Sequence, residues 1–487
     1  MKPNNIPPDN YPSGEPSPHK WLVMTAIGLG ILMATLDVSI VNVSLPTLVE
    51  ALNTNFATIQ WVIVAYILVV TSLMLGVARL GDMFGHKNLY AAGLVIFTTA
   101  SLLCGLAPRV EWLIGFRALQ GSGAVMMQAL GIAIVTSVFP ARERGRALGV
   151  IGGIVSVGLA MGPAVGGILI GYVGWRSIFL VNVPLGIVAF FVVLRFVPRP
   201  VKRPGGQRFD FPGALLLFFV LAFYALGMTL GQRLGFGETH VLALLLAAGA
   251  GLIAFITVES RTAQPMLDTT LFSDTLFSLN LIMGWLTFIV VACTFVLPFF
   301  LELVLHYPPE KVGLLMMVVP LSMGAIAPVS GILSDRFGSR GISVLGLLTI
   351  VGGCLAISTL QTDTPAWGYI LRTAPIGIGM GLFQSPNNSA VMGAVPPERL
   401  GVASGLLALS RTMGHTTGIP LAGVLFTGTV IAAAGQDPFS NITDAPVQAL
   451  VAGIRGTFRV AALVIITSTL LSIAAYLLDR RRRNADA

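Results

Sequence analysis

Residues 79–87 read Arg79-Leu80-Gly81-Asp82-Met83-Phe84-Gly85-His86-Lys87, and residues 334–340 read Ser334-Asp335-Arg336-Phe337-Gly338-Ser339-Arg340. Each is a short polar stretch wedged between two apolar runs, near 58–80 and 88–107 for the first and near 311–333 and 341–360 for the second. A helix needs about 20 apolar residues to cross the hydrocarbon core of a bilayer. Two such runs joined by so few polar residues make a helical hairpin whose turn lies at a membrane surface. The recurrence of that turn points to a duplicated bundle, which further apolar runs and further matches would extend along the chain.

Composition agrees with a membrane class. Of 487 residues only 10% are charged and 55% are apolar, and the mean hydropathy is +0.85. So few charges cannot cover a water-soluble surface. Unbroken runs of this length also exclude a transmembrane barrel, whose strands show shorter alternating segments of about ten residues. Spans are expected near 21–45, 58–80, 88–107, 111–136, 145–170, 176–196, 211–230, 240–259, 275–300, 311–333, 341–360, 366–390, 403–432 and 457–478, fourteen in all. The first 19 residues lack the apolar core and small-residue cleavage site of a secretory signal, so the first span is expected to be an uncleaved anchor behind a disordered tail.

The net charge of +8 follows the spans and forms no single basic face, which argues against a nucleic-acid partner. With the N-terminus inside, 20 of the 29 Lys and Arg fall on inner segments, among them Lys87, Arg142, Arg144, Arg146, Arg199, Lys202, Arg203, Arg208, Arg340 and Arg480 to Arg483. Six fall on outer segments: Arg109, Arg176, Arg233, Lys311, Arg455 and Arg459. The positive-inside rule therefore puts both termini in the cytoplasm of a multi-pass cell-membrane protein. Cys104, Cys293 and Cys354 lie within apolar runs, without metal-ligand spacing, and read as packing residues.

Four anchors carry the internal repeat in one order. Leu45-Pro46 with Glu50 recurs as Leu297-Pro298 with Glu302, and the Asp82 turn recurs at Asp335, at offsets of 252 and 253 residues. Arg117 matches Arg372 at 255, and Gly145, Ala147 and Gly149 match Gly401, Ala403 and Gly405 at 256. The copies are spans 1–6 and 9–14, with spans 7 and 8 inserted. Expected domains are a disordered tail at 1–20, a six-helix bundle at 21–196, a linker with the inserted spans at 197–274, a second six-helix bundle at 275–478, and a basic tail at 479–487. An even insertion keeps the copies parallel, the arrangement in which substrate binds near the midplane between two rocking halves.

The motifs resemble those of the major facilitator superfamily. The turn at 79–87 is similar to its loop signature G-x-L-[GA]-D-R-x-G-R-[KR], although Ala78 stands at the first Gly and Met83 and His86 replace arginines. Arg117-Ala118-Leu119-Gln120-Gly121-Ser122-Gly123 is similar to R-x-x-Q-G-x-G. Gly158, Gly162-Pro163 and Gly166-Gly167 match the motif associated with antiporters. Leu36-Asp37-Val38-Ser39-Ile40-Val41-Asn42-Val43-Ser44-Leu45-Pro46 is close to the L-D-x-T-I-V-N-V-A-L-P of fourteen-span drug:proton antiporters of the QacA/EmrB type, and Asn182-Val183-Pro184 continues the likeness. The resemblance implies an all-α integral membrane protein with the major facilitator fold, two parallel six-helix repeats plus two inserted helices, and efflux of amphipathic or cationic small molecules in exchange for protons. Export of a lipid, siderophore, amino acid or other metabolite would use the same machinery, and a non-transporting sensor or scaffold is the reading of another class.

The candidate site residues follow from what is expensive in a bilayer. An ionised carboxylate inside a span is costly and rare, which makes Asp37 the first candidate for proton coupling. Counting 1.5 Å per residue, Asp37 lies about 12 Å and Arg117 about 9 Å below the outer ends of their spans. A pair at that depth is either a switch that protonation alters or a fixed link between helices. The second copy has Ile289 where the first has Asp37, so coupling through this acid is asymmetric. His415, midway along span 13, is a secondary proton candidate or a packing residue. Asp37, Asn42, Gln128 and Arg372 are the substrate-binding candidates, with Arg372 equally readable as a structural anchor. Gating is assigned to the turn pairs Asp82 with Lys87 and Asp335 with Arg340, which either latch the inner face or are solvated charges. It is also assigned to Gly158, Gly162, Pro163, Gly166 and Gly167, whose spacing allows close helix approach and a kink. No nucleotide loop, metal cluster or nucleophile constellation is evident, so no cofactor is expected and the chain reads as a secondary transporter and not an enzyme. Its expected partners are a small-molecule substrate, protons and the lipid bilayer, with the chain acting as a monomer.

Overall fold

A computed structural model of the chain describes residues 20–139, 144–197, 210–262, 269–395, 400–435 and 442–486. These are helical almost throughout and include no strand. The first copy comprises α1 (Lys20–Ala51), α2 (Phe56–Ile59), α3 (Trp61–Phe84), α4 (His86–Gly105), α5 (Val110–Val138), α6 (Arg144–Val173), α7 (Ser177–Leu180) and α8 (Asn182–Phe196). The inserted pair is α9 (Phe211–Leu234) and α10 (Thr239–Glu259). The second copy follows as α11 (Thr275–Ala292), α12 (Leu297–Phe299), α13 (Pro309–Met316), α14 (Val318–Phe337), α15 (Ser339–Ile357), α16 (Ala366–Gly393), α17 (Leu400–Ala434) and α18 (Val447–Asp486).

The turns explain how so many helices pack without long loops. Gly85 and Gly338 are single-residue joints with φ of 92° and 88°, a left-handed conformation in which only glycine escapes a Cβ penalty. Asn55 caps α2 by accepting from the Thr58 amide at 2.8 Å, and Asp210 caps α9 by accepting from Gly213 at 2.9 Å. Successive helices reverse direction. The turns at 52–55, 106–109, 174–176, 235–238, 305–308 and 358–365 therefore gather on one face, called here the first face, and Gly85, Gly338, the start of α1 and the end of α18 lie on the second.

Among the described residues, twelve helical stretches are long and apolar enough to cross a membrane. Two more helices, α5 with 29 residues and α16 with 28, are not in that set. Within the expected basic tail at 479–487, α18 continues through Arg480 to Arg483 as far as Asp486. Arginine is a good helix former, and cations at a helix C-terminus complement its dipole. The tail at 1–20 lies outside the described residues except Lys20, which begins α1.

The same pairs of helices pack in both copies. In the first, α4 lies on α5, α3 on α5, α1 on α6 and α8, and α4 on α8. In the second, α15 lies on α16, α14 on α16, α11 on α17 and α18, and α15 on α18. Glycines permit the closest approaches: a Cβ on Gly93 would meet the Gly123 carbonyl oxygen at 3.0 Å, and one on Gly379 would meet the Gly346 carbonyl oxygen at 2.5 Å. Between copies, α6 packs on α13 and α14, α17 packs on α3, and α1 meets α12 and α13.

Candidate functional site

Asp37 and Arg117 meet. Both side chains are essentially inaccessible, at 0% and 1% exposure, and Arg117 Nη1 donates to Asp37 Oδ2 at 2.5 Å. The other carboxylate oxygen, Oδ1, accepts from Gln120 Nε2 and from Asn182 Nδ2, each at 2.9 Å. Arg117 Nε donates to the Val62 carbonyl at 2.9 Å, and its Nη1 also donates to Gln120 Oε1 at 2.5 Å. Gln120 in turn donates to the Ser101 hydroxyl at 2.8 Å. The guanidinium lies 4.3 Å from the centre of the Tyr66 ring, a geometry in which the ring face attracts the cation. Helices α1, α3, α4, α5 and α8 thus each give one or more groups to a single buried cluster within the first copy.

An ionised Asp37 can only accept, and it has three donors. Protonation would remove its charge, weaken the charge-assisted bond from Arg117, and turn one oxygen into a donor that needs an acceptor of its own. Three buried oxygens of the first copy stand unpartnered: Asn182 Oδ1, Asn42 Oδ1 and the Tyr66 hydroxyl. The position of Ile289 in the second copy is filled by a buried aliphatic side chain at 4% exposure, and no comparable cluster is described there.

The remaining candidates do not join Asp37. Arg372 donates from Nε to Thr359 Oγ1 at 3.0 Å and from Nη1 to the Gly368 carbonyl at 2.9 Å, which ties the start of α16 to the turn before it. Gln128 is half-buried on α5. His415 packs against Phe288, with ring centres 5.5 Å apart, and Arg411 approaches the same ring at 5.9 Å while donating to Asn388 at 3.2 Å. Lys87 donates to the Leu194 and Val197 carbonyls at 3.0 and 2.5 Å, at the C-terminus of α8. Arg340 donates to Asn280 at 3.3 Å. The side chains of Asp82 and Asp335 lie outside the described residues, as does the cluster Arg142-Glu143.

The glycine motif on α6 faces two neighbours. Gly158, Gly162 and Gly166 lie against Thr35, Ser39 and Ile40 of α1. Gly167 lies against the backbone of Pro309 in the other copy, and Pro163 against Gly313. Toward the same first face, Phe56 of the first copy meets Phe295, Phe299 and Phe426 of the second at 5.8, 4.8 and 5.5 Å between ring centres. Thr47 donates to Glu302 at 3.4 Å across the same interface, from α1 to a π-helical turn at Phe300–Val304. Gln120, Asn182 and Glu302 stand in the sequence as motif or repeat residues whose contacts only the fold supplies. Their signal lay in standing inside the matched motifs.

A family model described as the Major Facilitator Superfamily matches residues 27–419. The chain is 37% identical over 402 residues to the riboflavin transporter RibZ of Clostridioides difficile, covering 82% of this chain and 86% of that protein. It is 33% identical over 404 residues to the multidrug resistance protein Stp of Mycobacterium tuberculosis, covering 82% and 75%. Among solved structures, it is similar to a bacterial homologue of the human lysosomal transporter Spinster in an inward-facing, unoccupied conformation. The TM-score is 0.66 at 16% identity, over 95% of this chain and 98% of that one.

Proposed function

This chain belongs to the Major Facilitator Superfamily and is a multi-pass membrane transporter, and we propose that it exports amphipathic or cationic small molecules in exchange for protons. The observation that carries the proton half of this reading is the buried Asp37 cluster. Its carboxylate is held by Arg117 and Gln120 of α5 and by Asn182 of α8, two other helices of the same copy. Binding a proton there loosens α1 from α5 and α8 and so changes which packing of the copy is preferred, the differential contact that coupling requires. Asp37 is enclosed, so in this conformation it acts on the substrate path through helix packing and not by touching the cargo.

The proposed architecture has fourteen spans, counting α5 and α16. At 1.5 Å per residue, both exceed the ~30 Å hydrocarbon core. The recurrent helix pairing supports two six-helix copies at 21–196 and 275–478, with α9 and α10 inserted. The 20-to-6 distribution of cations supports a cytoplasmic second face and an outer first face in the cell membrane. On that orientation, α6 against α13 and the Phe56 cluster form the seal of an outward-closed state, and Gly167 and Pro163 belong to it. Drug efflux is favoured by the relative named a multidrug resistance protein. Export of a natural metabolite is the second reading, favoured by the relative named a riboflavin transporter.

The test is transport in vesicles of purified protein under an imposed pH gradient, with cationic dyes and riboflavin as cargo. Movement of one cargo that stops when the gradient is collapsed fits the proposal. Cargo movement indifferent to the gradient contradicts it.

A further inference from the structure

The two seams between the copies are related by the repeat, yet they are not alike. One is α6 on α13 and α14, and the other is α17 on α3. Only the second is overlaid by the inserted helix: α9 packs on α3 and on α17, one from each copy, while α10 packs mainly on α9. The Tyr224 hydroxyl of α9 is 2.7 Å from the Thr417 hydroxyl of α17. Farther along α9, Gln232 approaches Gln60, the residue that joins α2 to α3 and is 0% exposed.

Neither glutamine has its hydrogen bonds completed by the protein. Both amide atoms of Gln60 and both of Gln232 are buried and unpartnered. They converge on Gly423 of α17, where a Cβ would stand 2.7 Å from Gln60 Nε2 and would also collide with Gln232 Nε2. The two amide nitrogens are therefore at most about 5 Å apart, a gap that one water accepting two bonds of about 2.9 Å can bridge. Leaving four amide atoms unpaired in an apolar setting is strongly unfavourable, and buried waters with two to four polar partners are the usual remedy. Glutamine amides carry no net charge and offer both donors and acceptors, which suits a small neutral guest that donates and accepts.

We propose that Gln60, Gln232 and Gly423 enclose a site for one or two ordered water molecules, and that this hydrated joint makes α9 a strap holding the α3–α17 seam closed at the first face. Three modules meet there: the first copy through Gln60, the insertion through Gln232, the second copy through Gly423. Phe56 lies four residues before Gln60 and Phe426 three residues after Gly423, and those two rings are 5.5 Å apart, so the joint sits beside the aromatic closure. A water-mediated joint suits a seam that must slide, because it breaks without leaving either amide bonded to the wrong partner. The proposal is independent of what is carried.

The test uses full-length protein with its three cysteines replaced by serine and a single reporter, Ser44→Cys, on the fully buried face of α1. A membrane-impermeant maleimide is applied from the first face. Gln232→Met and Gln60→Met keep side-chain length and remove the polar ends, and each is expected to raise the labelling rate at least about threefold. Tyr224→Phe combined with Gln232→Met should add less than the two single changes together, because one strap is already slack. Gly423→Ala intrudes from the opposite wall and should also raise labelling, which keeps the proposal testable if a glutamine variant fails to insert. A high-resolution map should show water density within hydrogen-bond reach of both amides. Labelling at the parent rate in all three single variants, or a map with the amides bonded directly to each other, overturns the proposal.

Discussion

Asp37 accepts three hydrogen bonds from two helices, α5 and α8, and Arg117 supplies the charged one among them. A guanidinium can serve the carboxylate, Gln120 and the Val62 carbonyl at once while stacking on Tyr66, whereas an ammonium is a point charge without a planar face. Arg117→Lys is therefore expected to insert normally but to lose gradient-driven transport by at least tenfold, about 1.4 kcal/mol in rate terms. Transport assays on protein normalised by immunoblot check this. Arg117→Ala goes further: it strands a buried carboxylate, and losses of about 3–5 kcal/mol follow when one partner of a buried pair is removed. That variant should lose thermal stability in detergent as well as activity. The pair itself was legible because acids and arginines are rare within spans and their depths matched. The amides were not, since Gln120 and Asn182 are unexceptional residues until the helix faces are known. Arg372 shows the reverse: the repeat transferred its place in the sequence but not its surroundings, because Thr359 and the Gly368 carbonyl satisfy it where Arg117 has a carboxylate.

At the scale of helices, glycine sets how closely the copies meet. Gly167 and Gly313 place α6 and α13 backbone against backbone. Gly167→Val should push the first face apart, and the Ser44→Cys reporter should label faster from that side. Gly158→Ala acts between α6 and α1 of one copy, against Thr35, and should leave the first-face labelling rate near that of the parent. The turns make a second case. Gly85→Ala and Gly338→Ala impose a side chain at positive φ and should each destabilise the protein by about 1 kcal/mol or more, measured as a lower melting temperature. Helix existence was readable from apolar runs nearly everywhere, because lipid imposes the length. Helix ends were less so: α18 starts at Val447, ten residues before the expected span, since helix can extend beyond the apolar core into the interface. The place of the inserted pair was half legible. An even insertion had to leave the copies parallel, but nothing in the run of apolar residues indicated that α9 would lie across one seam.

For the whole molecule, the proposed orientation puts residues 235–238 and 433–445 outside and 200–208 inside. Reporter tags at those sites check it, and an outside signal from 200–208 would reverse the account. The asymmetry between copies has a functional consequence. Among the described residues, the Asp37 cluster lies in the first copy and α9 crosses the α3–α17 seam, so the proposals put proton binding and closure of the first face in different parts of an otherwise repeated architecture. The central claim is that a proton on Asp37 drives export. Its most direct measurement compares the parent and Asp37→Asn in vesicles carrying an internal pH dye, with cargo added under an imposed pH gradient. Asparagine keeps the size and can still accept from Arg117, so the variant should insert and fold. The account predicts that cargo moves with a matching proton flux in the parent, and that both fluxes fall to background in Asp37→Asn. Coupled fluxes of parental size and unchanged pH dependence in the variant would contradict it and turn attention to His415.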